Sequence, residues 1–148
     1  MRRWTTRAVS SSSNQKVALA GERYVYPDLS VVCGPPELET GTNDVLVNPQ
    51  VIVEVLSAST ESYDRGLKSD GYQRLASLRD YVLVSQTEAR IEHFGRDDGG
   101  TWTYRSAGAG ERLTLQAGAV MDIDGIFARA FDIGGDTDSW LGARSAKK

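Results

Sequence analysis

The stretch that decides the fold is Val51-Ile52-Val53-Glu54-Val55-Leu56-Ser57, an apolar run with one carboxylate in its middle. A run this short and this rich in β-branched residues predicts a strand that is covered on both faces of a sheet. Burying an unpaired polar group costs about 2–7 kcal/mol, and burying a charge costs more. Glu54 therefore needs a partner: a lysine, a metal ion or a proton. The choice among these three decides the function.

The size and composition are those of one globular domain. The chain has 148 residues, of which 40% are hydrophobic and 25% are charged, as is usual for a single domain. The net charge of −3 argues against a protein whose main task is to coat nucleic acid, because a basic domain is expected there. It leaves a nuclease open, since such an enzyme can confine its positive potential to one cleft and add a metal ion.

Apolar runs and cysteine content indicate the compartment. No apolar run approaches the roughly 18 residues that a membrane span needs. Cys33 is the single cysteine, which excludes an internal disulfide framework. We therefore expect no membrane association and a cytoplasmic location.

Both ends of the chain are predicted to lie outside the folded domain. Residues 1–16 hold four basic residues, four consecutive serines and no acid, a composition typical of a disordered tail. Organelle transit peptides have a similar composition, but no periodic apolar face supports that alternative. Residues 134–148 are mostly polar and are predicted to be flexible, which leaves 17–133 as a single domain.

A strand is predicted over residues 24–32, and it carries a second candidate acid, Asp28. Side chains alternate along a strand, so Asp28 shares one face with Tyr24 and Tyr26. Pro27 cannot donate a ladder hydrogen bond, which predicts an edge strand or a bend at this point. A bend would aim Asp28 into a site; the plainer alternative is a surface aspartate on a half-exposed strand.

A helix is predicted directly after the central run. Serine and threonine residues at 59, 60 and 62 can each cap its N-terminus. Asp64, Lys68 and Tyr72 recur at every fourth position and so line one face. Gly66 and Gly71 weaken the helix by about 1 kcal/mol each relative to alanine, which indicates close backbone approach or a helix held by packing.

The rest of the chain predicts an antiparallel meander followed by short elements. A strong turn signal at residues 97–100 links two of its strands. The predicted strands are 81–85, 90–94, 101–104, 113–115 and 120–123, with a final helical turn at 126–131.

Asp28, Glu54 and Lys68 form the candidate constellation. If the two strands are neighbours, both carboxylates can reach one hard cation, and Mg²⁺ usually takes one or two protein carboxylates besides water and phosphate oxygens. A lysine beside the metal would position or deprotonate the attacking water and add positive charge near the phosphate. From spacing alone, a purely structural Glu54–Lys68 ion pair is the commoner outcome.

Other chemistries lack parts in this sequence. His93 is the only histidine, so a histidine-based triad or a zinc site is incomplete. Cys33 has no evident base beside it and is interpreted as a buried structural thiol. The phosphate-binding glycine motifs are absent. Tryptophans at positions 4, 102 and 140 are too scattered for a base-stacking platform.

At the residues of this constellation the chain resembles the Uma-two family, within the PD-(D/E)XK restriction-endonuclease-like superfamily. The similarity runs from about Arg23 to about Phe131. As an ordered set the matching motifs are fairly specific. They lie at 26–32, 51–60, 63–68 and 79–85.

The resemblance implies an α/β fold: a restriction-endonuclease-like mixed β-sheet with flanking helices and a strand-rich C-terminal meander. It also implies hydrolysis of DNA phosphodiester bonds with Mg²⁺ or Mn²⁺. Asp28 and Glu54 match the two metal-binding acids of the family, and Lys68 matches its catalytic lysine. Asp64 and Tyr72 match recurrent positions of the same helix and are expected to orient the lysine.

Two features depart from the usual pattern. The superfamily usually carries its lysine two residues after the second acid, where this chain has Leu56; in this family the lysine lies on the following helix. Family members usually have an N-terminal half before the first acid, so this chain resembles a truncated member with that part of the fold missing. The alternative function is therefore an inactive remnant that serves as a structural or partner-binding module. A sheet edge exposed by the truncation would favour a homodimer.

Overall fold

The computed structural model describes residues 9–12, 15–19, 23–57 and 67–132. These ranges contain eleven strands and two helices. In chain order the elements are β1 Val9–Ser12, β2 Lys16–Leu19, β3 Arg23–Val25, β4 Leu29–Cys33, β5 Val45–Leu46, β6 Val51–Val55, α1 Leu67–Gln73, β7 Asp80–Val84, β8 Arg90–Arg96, β9 Trp102–Gly108, β10 Arg112–Thr114, β11 Val120–Asp122 and α2 Ile123–Asp132.

A mixed sheet of six strands forms the centre of the molecule. Its order is β1-β4-β6-β7-β8-β9, and only the β6–β7 pair is parallel. The connection between those two strands passes through α1, as a parallel pair requires a crossover. Strand β6 lies inside the sheet, and its first four residues, including Glu54, are buried. The prediction of a strand covered on both faces is confirmed.

Each face of this sheet carries its own core. One face, called the α2 face, packs against α2 and the β10–β11 pair; its buried residues include Val53, Val82 and Ile126. The other, called the α1 face, packs against α1 and a three-stranded sheet of order β3-β2-β5. The predicted meander is confirmed, since β7, β8 and β9 pair antiparallel in sequence order.

The strand predicted over residues 24–32 is broken into two. Strand β3 pairs with β2 in the small sheet, whereas β4 pairs with β1 and β6 in the large one. Residues 26–28 link them, and the fully buried Pro27 lies at the break. Proline has no N–H to donate to a ladder, so one continuous central strand cannot pass through this position.

The predicted disordered tail also differs from the structure over part of its length. Residues Val9–Ser12 form strand β1, which pairs antiparallel with β4 from Val9↔Cys33 to Ser12↔Ser30. A serine-rich segment shows no apolar alternation, so its composition does not predict an edge strand that is held by backbone pairing with its neighbour. Residues 1–8 and 134–148 lie outside the described residues, as do residues 58–66 before α1.

Helix α1 is held to the small sheet by a close approach at Gly71. A Cβ at this position would lie 2.6 Å from Arg23 Nη2 and 2.8 Å from Leu19 Cδ1. Both distances are shorter than real Cβ contacts, so a side chain here would force the Arg23 and Leu19 side chains to shift. Neither helix in the described part of the chain has the length and apolar character needed to cross a membrane.

Candidate active site

Asp28 and Glu54 meet on the α1 face because of the β4–β6 register. The antiparallel pairs Leu29↔Val53 and Ser30↔Ile52 bring Asp28 opposite Glu54 one step further along. Facing residues of an antiparallel pair project to the same face. Two acids 26 positions apart in the chain therefore lie side by side.

Two reciprocal hydrogen bonds fix this pair of acids. The Asp28 N–H donates to Glu54 Oε1 over 3.3 Å, and the Val55 N–H donates to Asp28 Oδ2 over 2.7 Å. The Glu54 carboxylate thus accepts from the backbone of Asp28, and the Asp28 carboxylate accepts from the backbone of β6. The break between β3 and β4 at Pro27 makes the first of these hydrogen bonds possible, because it leaves the Asp28 N–H outside the regular strand ladder.

Tyr72 provides a third fixed contact. Its hydroxyl donates to Glu54 Oε2 over 3.0 Å, and the tyrosine is fully buried. The sequence named a lysine, a metal ion or a proton as the partner of Glu54; the structure adds a backbone amide and a phenol. That Tyr72 orients the lysine stays a prediction; its observed contact is with the acid.

An aromatic ladder holds Tyr72 in place. Ring centroids are 4.8 Å apart for Tyr72 and Tyr81, 6.1 Å for Tyr81 and Phe94, and 5.2 Å for Phe94 and Tyr104. The ladder runs from α1 across β7, β8 and β9. Packed aromatic pairs of this kind add about 0.5–1.5 kcal/mol each beyond area burial, so the hydroxyl at Glu54 is held by a rigid surface.

Arg96 fastens the turn that follows α1. Its Nη2 donates to the carbonyl oxygens of Leu75 at 2.9 Å and Ala76 at 2.6 Å, and to that of Leu78. Burial and the positive charge of Arg79 both lower the pKa of Arg96, burial contributing more. Strand β8, which carries Phe94 of the ladder, therefore also holds the turn after α1, the helix that carries Tyr72.

Lys68 lies in α1, one helical turn before Tyr72. Residues four apart lie on the same side of a helix, so Lys68 and Tyr72 occupy the same side of α1. The Lys68 side chain and the whole of Asp64 lie outside what the structure describes.

The two acids suit a hard divalent cation. A carboxylate has about four lone-pair sites, so a carboxylate that accepts one or two hydrogen bonds can also be a ligand to a cation. In the described ranges, no group of three or more histidine, cysteine, aspartate or glutamate residues could hold a metal ion. A two-carboxylate set fits Mg²⁺ or Mn²⁺, which keep several waters.

A second buried acid lies on the opposite face and escaped the sequence analysis. Asp80 Oδ1 is 2.6 Å from His93 Nε2, and the backbone amides of Gln116 and Ala117 donate to the same carboxylate over 2.7 and 2.9 Å. Arg105 Nη2 lies 3.5 Å from His93 Nδ1. Because a carboxylate accepts, His93 Nε2 is assigned as the donor to Asp80.

Comparison with known proteins identifies the family that this chain resembles. The family model described as "Uma2: Putative restriction endonuclease" matches residues 1–124. "Uncharacterized protein slr1290" of Synechocystis sp. is 36% identical over 107 residues, which cover 72% of this chain and 55% of that protein. "Uncharacterized protein sll1609" of the same organism is 32% identical over 81 residues, which cover 55% of this chain and 46% of that protein. The chain spans about half the length of these curated relatives.

A solved structure shares the fold. A crystal structure titled as a "putative nuclease belonging to DUF820" from Anabaena variabilis superposes with a TM-score of 0.58 at 12% identity, over 74% of this chain and 61% of that one. The mixed sheet with flanking helices is thus a restriction-endonuclease-like fold, as the resemblance implied. Because the family model matches most of its length, this chain belongs to the Uma2 family, whose model is described as "Putative restriction endonuclease".

Proposed function

We propose that this chain carries the active site of a metal-dependent endonuclease that hydrolyses DNA phosphodiester bonds. The family assignment supports a nuclease. The observation that carries the proposal is the reciprocal hydrogen bonding that holds Asp28 and Glu54 together on the α1 face. Carboxylates on facing residues repel each other, and a bound cation or a proton would offset that repulsion.

Asp28 and Glu54 would hold Mg²⁺ or Mn²⁺. When bound, such a cation polarises a phosphoryl oxygen and makes a bound water more acidic. The Val55 amide and the Tyr72 hydroxyl orient the two carboxylates, so the ligands are arranged before the substrate arrives. Preorganised groups lose no reorganisation energy during the reaction.

Lys68 is proposed as the remaining catalytic group. An ammonium on the α1 side that carries Tyr72 would orient the attacking water or stabilise the charge that develops on the phosphate. Its long, flexible stem lets it serve from a helix rather than from the strand position that Leu56 occupies. Asp64 is proposed to steady this lysine from one turn earlier in the sequence.

Cleavage assays test the proposal directly. The 148-residue chain is incubated with supercoiled, linear double-stranded and single-stranded DNA in Mg²⁺ or Mn²⁺. We expect cleavage that Asp28→Asn and Glu54→Gln abolish and that Lys68→Ala slows by about 10²–10⁴-fold, the usual contribution of a proton-transfer group.

Glu92→Gln is the matched control. Glu92 is also buried on the α1 face and also accepts from a tyrosine, because Tyr104 donates to it over 2.8 Å. It lies two strands from Glu54, roughly 10 Å away at ordinary strand spacing. Its substitution should leave cleavage unchanged. Absence of cleavage with every DNA form and both metals would reject the enzyme and favour a non-catalytic binding module.

A further inference from the structure

One edge of the six-stranded sheet is open in the part of the chain that the structure describes. Within that part, strand β9 is the last in the strand order and pairs with β8 alone. The edge is closed at one end, because the Gly108 N–H donates to Glu111 Oε1 over 2.6 Å and the Gly108 carbonyl accepts from the Glu111 N–H over 3.1 Å. The open segment is therefore residues 102–106.

The β8–β9 hairpin fixes which backbone groups point to the open side. The Asp97 N–H donates to the Thr101 carbonyl over 3.0 Å, and in an antiparallel pair every second residue exchanges hydrogen bonds with the residue opposite. Every second residue from Thr101 onward therefore directs its backbone groups to β8. The residues between them direct theirs outward, where a further strand could pair; they are Trp102, Tyr104 and Ser106.

The open segment lacks the features by which edge strands avoid pairing. Natural edges carry proline, lysine, an inward-pointing charge or a bulge, whereas residues 102–106 hold no proline, glycine or lysine. The one charged residue is Arg105, and its Nη2 donates to the Thr114 carbonyl over 2.7 Å on the α2 face, so the guanidinium does not cover the edge. Tryptophan, threonine and tyrosine, which make up most of the segment, are residues that strands favour.

An exposed aromatic ring adjoins the open edge on the α1 face. Tyr104 is 53% exposed, and its ring packs against Phe94 with the centroids 5.2 Å apart. Trp102 lies two positions earlier and so on the same face. It is half-buried, and the Arg96 guanidinium lies 5.1 Å from its ring centroid. A strand added at this edge would therefore cover aromatic surface as well as pair with the backbone.

We propose that a second copy of this chain occupies the edge, with the two β9 strands antiparallel about a two-fold axis at Tyr104. An isologous contact of this kind is self-complementary and closes with two subunits. All of the open segment then pairs, and no two like charges meet, whereas an axis at Arg105 would set one arginine against the other. The facing pairs are Tyr104 with its own copy, Thr103 with Arg105, and Trp102 with Ser106.

Association is measured without DNA, so the result does not depend on the proposed nuclease activity. A contact between two short strands is small, so we expect a weak dimer whose fraction rises with concentration in sedimentation velocity runs. Ser106→Pro removes an N–H from the open side only. It should weaken dimerisation about tenfold or more, because the two-fold axis removes two hydrogen bonds at once. Ser106→Ala is the matched control: it also loses the hydroxyl that contacts Arg90 but keeps the N–H, and it should dimerise as the unaltered chain does.

A cross-link tests the axis itself and decides the matter if the proline variant does not fold. In a Cys33→Ser background, Tyr104→Cys places two thiols at the axis, where facing Cα atoms lie about 5.5 Å apart, within the range for a disulfide. We expect a disulfide-linked dimer on mild oxidation, and none from Leu38→Cys, an exposed position beside β5 of the small sheet. A monomer at every concentration, a dimer that a folded Ser106→Pro variant retains in full, or no cross-link from Tyr104→Cys would overturn the inference.

Discussion

The two faces of the six-stranded sheet each bury an acid, but they surround it differently. On the α2 face, Asp80 is fully buried and receives donors from His93, Gln116 and Ala117. On the α1 face, Glu54 is also buried, but its neighbour Asp28 is only partly so. A carboxylate closed in by protein donors stabilises the fold, whereas an acid pair with one partly exposed member is the arrangement that the proposed metal site needs.

Asp80→Asn should have the largest effect on stability. The amide cannot accept from His93 and from two backbone N–H groups as the carboxylate does; His93 is buried, and the Gln116 and Ala117 hydrogen bonds are partly buried. Each buried donor left without its acceptor costs about 1–3 kcal/mol, and loss of the carboxylate charge weakens the hydrogen bonds that remain. Urea unfolding followed by circular dichroism measures the change.

Mn²⁺ affinity of the folded fraction should be unaltered in that variant. A large loss of Mn²⁺ affinity with little loss of stability would mean that the functional face has been misidentified.

Gly95→Ala should destabilise through the same network by a smaller amount. A Cβ at Gly95 would lie 2.7 Å from His93 Cε1 and 3.1 Å from Gln116 Cγ. Overpacking of this kind costs about 1–3 kcal/mol, and thermal unfolding reports it.

Gly99→Ala is the matched control, since its nearest neighbour would be Asp97 Oδ1 at 3.5 Å. Equal effects of the two substitutions would show that the His93 ring does not fill the space above Gly95.

Of these three substitutions, Tyr72→Phe should lower the free energy of unfolding least and the Mn²⁺ affinity most. The ring contacts of the ladder remain, and only the hydroxyl that donates to Glu54 is lost. We expect about 0.5–1.5 kcal/mol of destabilisation, the net contribution of one hydrogen bond, and a fall in Mn²⁺ affinity of roughly 10–100-fold, as for other outer-sphere partners.

Tyr104→Phe removes the corresponding hydroxyl from Glu92 and should leave Mn²⁺ affinity unchanged. An equal fall in both variants would locate the metal elsewhere on this face.

The sequence alone predicted the features that show in the repeat pattern of a single strand or helix. The β-branched run identified β6, and the two-residue alternation put Asp28 on a face that Glu54 could share. Spacing along α1 identified Tyr72, whose hydroxyl donates to the acid. These features depend on residues close in the chain or on the pairing of neighbouring strands.

Other features depend on sheet order, which local patterns do not contain. His93 reaches Asp80 diagonally across the β7–β8 pair, over Gly95, and no spacing rule predicts such a contact. The break at Pro27 was foreseen as a bend, but its division of one run between two sheets depends on where β2 and β6 lie. Strand β1 is polar, so only its pairing with β4 reveals it.

The central claim is that Asp28 and Glu54 together hold a divalent cation. Isothermal titration calorimetry of Mn²⁺ into the unaltered chain and into Asp28→Asn, Glu54→Gln and Glu92→Gln tests it most directly. The account predicts one Mn²⁺ site that either of the first two substitutions removes and the third retains. Heat of binding that survives in both Asp28→Asn and Glu54→Gln, or none in the unaltered chain, would contradict it.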